Sequence, residues 1–92
     1  MCTYQTTHVD LQGAAKGAEG WFPVAEATVY FDHPVAARPE HTLNVDFLNR
    51  SRGASARVAV ELEASSAYAL ARAILDQLAA APAGLVGELE GR

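Results

Sequence analysis

The stretch 24–48, VAEATVYFDHPVAARPEHTLNVDFL, decides the fold. Apolar and polar residues alternate on both sides of a proline-containing connection, the pattern of two antiparallel strands with one covered face. In the first of these, 24–33, Ala25, Ala27, Val29 and Phe31 share one face, and Glu26, Thr28, Tyr30 and Asp32 share the other. In the second, 41–48, Leu43, Val45 and Phe47 alternate with Thr42, Asn44 and Asp46. Setting Phe31 opposite Leu43, Val29 opposite Val45 and Ala27 opposite Phe47 makes three apolar pairs on one side. A slip of one residue would send every side chain to the wrong face, so this register is preferred.

Working outward, a strand over about 3–11 carries Thr7, Val9 and Leu11 on one face and Thr6, His8 and Asp10 on the other. The glycine-rich run GAAKGAEG at 13–20 reads as a flexible loop. Trp21 and Phe22 at its end read as core anchors. Downstream, the loop NRSRGAS at 49–55 leads to a fourth strand at 56–63, with Val58, Val60 and Leu62 inward and Arg57 and Glu61 outward. Ser65 and Ser66 are placed to cap a helix over about 66–81, which Pro82 stops. Its Ala67, Leu70, Ala71, Ile74 and Leu78 form one stripe at helical spacing. The spacing therefore predicts an α+β domain: a four-stranded antiparallel meander, one C-terminal helix packed on one face, and a flexible tail over 82–92.

Composition narrows the function classes. Ninety-two residues make one domain, and half of them are apolar with a fifth charged, which excludes a chiefly disordered chain. Seven basic against eleven acidic residues give a net charge of −4, unsuited to gripping a phosphate backbone, so no nucleic-acid partner is expected. No apolar run approaches ~18 residues, so no membrane span is expected either. Cys2 is the one cysteine, and the first ten residues lack the basic and apolar regions of a signal peptide, which points to the cytoplasm. One sheet and one helix make a thin, two-layer domain, and a homodimer or higher homo-oligomer is the usual remedy.

Two polar constellations carry the candidate chemistry. The preferred register brings His33 opposite His41, with Cβ atoms ~5 Å apart. Two imidazoles at that spacing suit a divalent metal ion, with Asp32, Glu40 or Cys2 to complete the shell. The plainer alternative is that both histidines close the hairpin end through hydrogen bonds. On the open sheet face, the same register sets Tyr30 beside Asn44 and Thr28 beside Asp46. Pairing the first two strands with His8 next to Thr28 gathers His8, Tyr30, Asn44 and Asp46 into one patch. There His8, oriented by Asp46, is a candidate general base, with Tyr30 and Asn44 positioning a polar substrate. Solvated sheet faces are normally polar, so an ordinary surface or a dimer contact explains the same residues.

The runs MCTYQTTHVDLQGAAKGAEGWFPVAEATVYFDHPV, EHTLNVDFLN and ARVAVELEASSAYALARAI resemble a small actinobacterial protein family of unknown function. The motifs DHP at 32–34 and HTLN-D at 41–46 carry the resemblance most distinctively. It implies a high-GC origin and a setting in specialised metabolism, and brings no substrate, cofactor or catalytic residue. Two function classes stay open. One is a small lyase, isomerase or hydrolase binding a small molecule, with a divalent metal, through a histidine-containing polar site. The other is a non-enzymatic homodimeric binding or interaction module.

Overall fold

A computed structural model of the chain describes residues 5–32 and 41–86. Four strands, β1 (Thr7–Gly17), β2 (Gly20–Asp32), β3 (Thr42–Leu48) and β4 (Arg57–Leu62), form one antiparallel meander in chain order. A 3-10 turn (Arg50–Arg52) lies between β3 and β4, and two helices follow, α1 (Ala64–Ala80) and the single turn α2 (Ala83–Val86). The architecture is the α+β meander with a C-terminal helix that the alternation predicts. Phe31 faces Leu43, Val29 faces Val45 and Ala27 faces Phe47. His8 stands opposite Thr28.

The glycine-rich run is strand rather than loop. β1 continues to Gly17, pairs it with Gly20, and reverses through Ala18 and Glu19. Gly20 has φ +106°, backbone that a residue with a Cβ rarely adopts. Alanine and glycine give no apolar alternation, so the ladder rests here on backbone hydrogen bonds rather than on patterning. A β-bulge interrupts β1, since Asp10 faces Glu26 and Gly13 faces Val24, leaving Leu11 and Gln12 opposite Ala25. A bulge bends its strand and raises the local twist.

Burial on β2 changes phase beside that bulge. Phe22 and Val24 are buried, Ala25 is exposed, and Ala27 is buried again. Ala25 is thus not an inward residue as strict alternation would have it. Trp21 is also misplaced by the sequence reading: it is 71% exposed, because adjacent strand residues point to opposite faces and Phe22 takes the inner one. The curl carries the β1–β2 turn across to the start of β4. A Cβ on Gly17 would stand 3.1 Å from the Phe22 ring and 3.3 Å from the Ser55 carbonyl oxygen. Ser55 Oγ donates to Glu19 at 3.4 Å, and Asn49 Nδ2 donates to the Pro23 carbonyl at 2.7 Å. Within this curled end lies the core, Phe22, Val24 and Ala56, flanked by Leu11, Ala15, Phe47 and Val58.

The helix begins earlier than its serines suggest. Glu63 is the residue before the first turn, without a side-chain cap bond, and Ser65 and Ser66 lie inside that turn. Ala81 ends α1 and Pro82 prevents its continuation, but the chain then makes the helical turn of α2 before leaving the described residues. α1 meets the sheet along β3, yet none of its residues is buried. Leu70, Ile74 and Leu75 are each more than half exposed, and Leu78 is 36% exposed.

Candidate functional site

The polar face of the sheet places the sequence candidates in rows across the strands. His8, Thr28, Asp46 and Ala59 form one row, and Tyr30, Asn44 and Glu61 the next. Neighbouring strands lie ~4.8 Å apart, which puts Thr28 between His8 and Asp46 and their backbones ~10 Å from each other. The side chains follow that spacing. His8 Nδ1 and Thr28 Oγ1 are 3.4 Å apart, on exposed surface. Asp46 is engaged elsewhere: the Tyr30 hydroxyl donates to Oδ2 at 3.3 Å, and Arg57 donates to Oδ1 at 2.9 Å.

Of the four patch candidates, therefore, Tyr30 and Asp46 are in contact. Asp46 orients Tyr30 and Arg57 rather than His8. Asn44 is buried, and its Oδ1 accepts from the fully buried Thr42 hydroxyl at 2.7 Å. That bond ties two β3 residues and leaves the amide facing protein rather than solvent. Arg57 is the member that the candidate set lacks. Its place depends on the β3–β4 register, in which Phe47 faces Val58 and Leu48 faces Arg57. The apolar pair Phe47–Val58 was the available signal. A second charged pair lies along the same face, where Arg50 Nε and Nη2 each donate to the Glu26 carboxylate at 3.3 Å. Chemically, the described part of the face presents two ion pairs, Arg57–Asp46 and Arg50–Glu26, beside the Tyr30 phenol. Such a surface offers a polar partner Tyr30, a half-exposed Arg57 and the exposed His8.

His33, the partner proposed for His41, lies outside the described residues, as do Glu40 and Cys2. His41 is half-buried at the start of β3, and the Asp32 backbone pairs with Thr42. Among the described residues no three His, Cys, Asp or Glu side chains converge as a metal-binding group.

The opposite face holds a different feature. Phe47 and Val58 alternate with Asp46 and Arg57, so they point away from the polar rows. With Leu11, Ala15 and Val24 they line an open apolar cleft of about 370 Å³, and Lys16 stands at its margin. The bulge makes this concavity, since it curls β1 and β2 over the ends of β3 and β4. No helix among the described residues is long and apolar enough to cross a membrane.

Residues 1–87 match a family of unknown function (DUF6295). No curated protein and no solved structure matches the chain.

Proposed function

The chain belongs to that family of unknown function, and from there we propose that it works as a self-associating, non-enzymatic interaction module whose contact surface is the apolar side of α1. One observation carries this reading: a seventeen-residue helix with an unbroken apolar stripe has no buried residue. Leaving Leu70, Ile74 and Leu75 half in water forgoes about half of the ~1.5–3 kcal/mol that full burial of each side chain is worth. Contiguous apolar patches of this kind mark interaction sites. The helix surface is also nearly free of charge, with Arg72 and Asp76 paired to each other at 3.3 Å. A single thiol in 92 residues suits the cytoplasm as the setting of this reading.

Light scattering of the purified chain at micromolar concentration tests it. The expected mass is twice the 9.7 kDa of one chain, or a higher multiple. A folded protein of 9.7 kDa under those conditions removes the proposal.

The Tyr30–Asp46–Arg57 chain of hydrogen bonds favours a second reading, in which the polar face binds a small polar molecule. A divalent metal at His33, His41 and Asp32 belongs to that reading. Elemental analysis of untagged protein beside His41→Ala tests the metal. Stoichiometric metal lost in the variant supports it, and negligible metal in both ends it.

A further inference from the structure

Where the loop between β3 and β4 meets the sheet, Leu48, Arg50, Gly53, Ala54 and Arg57 line a pocket of about 260 Å³. We infer that this pocket binds a small organic anion, its carboxylate or phosphate held between the guanidinium groups of Arg50 and Arg57. The site rests on the second reading above, in which the polar face binds a small polar molecule, and narrows that molecule to an anion.

The strand register places the two arginines. Glu26, Leu48 and Arg57 stand opposite one another on β2, β3 and β4, so their side chains leave the sheet on one face. Arg50 comes back over that face, since its Nε and Nη2 both donate to the Glu26 carboxylate at 3.3 Å. On the other side of Leu48, Arg57 Nη2 donates to Asp46 at 2.9 Å. A guanidinium carries five N–H donors in a planar fork that matches carboxylate and phosphate. These bonds take two donors from Arg50 and one from Arg57, so both retain donors for an added oxyanion. No Asp or Glu lines the pocket, although acidic residues outnumber basic ones in the chain as a whole.

The loop is also held in place. Asn49 donates its backbone N–H to the Ala56 carbonyl and its Nδ2 to the Pro23 carbonyl, while its Oδ1 accepts from the Ser51 N–H and hydroxyl. Gly53 turns the chain at φ +95°, which a residue with a Cβ rarely adopts. A site fixed in advance loses less binding energy to ordering. The volume falls below the ~300–1,000 Å³ of typical ligand pockets, which suits a small acid lying over Leu48.

Nitrogen-15 NMR titration of the whole chain with inorganic phosphate and, separately, with propionate tests the site, with sodium chloride at equal ionic strength as the control. The expected result is saturable shifts centred on the amides of Gly53, Ala54 and Arg57 that chloride does not reproduce. The tighter of the two probes tells a phosphate ligand from a carboxylate. Arg57→Gln should weaken binding about tenfold or more. Ala54→Asp, which adds a carboxylate at an exposed loop position and leaves both arginines in place, should weaken it as much. Lys16→Gln, which removes a positive charge outside the pocket, should leave binding unchanged. Saturable shifts centred on His8 and Tyr30 instead overturn the pocket and leave the second reading standing. Shifts that chloride reproduces overturn the pocket, and no shift with phosphate or propionate overturns it and removes anions from the second reading as well.

Discussion

The curled end of the sheet and the helix α1 use apolar residues in opposite ways. At the curl, Phe22, Val24 and Ala56 fall below a tenth exposed, although the surrounding sequence is rich in glycine and alanine. On α1, a much stronger apolar pattern stays in water. Patterning therefore measures what a segment could bury, while topology decides what it does bury. The bulge opposite Ala25 brings β1 over the start of β4 and closes a small core there. α1 meets the sheet along β3 without burying any residue of its own.

The largest test of that contrast is Phe22→Ala. Truncating a buried phenylalanine costs ~3–5 kcal/mol, much of the ~5–15 kcal/mol that holds a domain together. Urea unfolding should show a midpoint lowered by that loss with the slope unchanged, and a loss below ~1 kcal/mol would place the core elsewhere. Gly17→Ala comes next. The added methyl meets the Phe22 ring at 3.1 Å and a carbonyl oxygen at 3.3 Å. Overpacking of this kind costs ~1–3 kcal/mol, read as a lower urea midpoint with the slope unchanged.

Asp46→Asn should be milder. It weakens the bond from Arg57, whose side chain is 53% exposed, so solvent screens the pair. A loss of ~0.5–1 kcal/mol is expected, shrinking as salt is added. A loss above ~2 kcal/mol would mean that the polar face is buried by a partner. The smallest effect belongs to Ile74→Ser measured at dilutions where the chain is monomeric. Substitutions at exposed positions usually stay within ~0.5 kcal/mol. A drop comparable to Phe22→Ala would show that α1 packs on its own sheet, and would erase the contrast.

Much of the sheet was legible in the sequence, and the reasons are local. Phe31, Val29 and Ala27 had unambiguous partners in Leu43, Val45 and Phe47, and all three pairs are present. The pairing of His8 with Thr28, supposed in building the polar patch, is present as well. The hairpin through Gly17 and Gly20 was not legible, because its small residues carry no period and a bulge has no signature in alternation. Trp21 and Phe22 looked alike as aromatics, and only the phase change near Ala25 separates them. In the candidate site, the sequence brought Tyr30 and Asp46 to one face but could not see Arg57 without the β3–β4 register. Asn44 was read as a surface group because strand faces alternate, whereas burial with Thr42 is a tertiary matter.

The bulge has one more effect, on the β1 edge of the sheet. β1 is an outer strand, so its outward N–H and C=O groups could template an added strand from another molecule. The bulge at Leu11 and Gln12 divides that edge into Thr7–Asp10 and Gly13–Gly17, four residues and five. Segments that stack into cross-β fibrils typically need ~6–7 residues in one unbroken run. Neither half of β1 supplies one, and Lys16 places a charge on the second. The irregularity that shapes the cleft thus also denies a foreign strand an unbroken run along this edge.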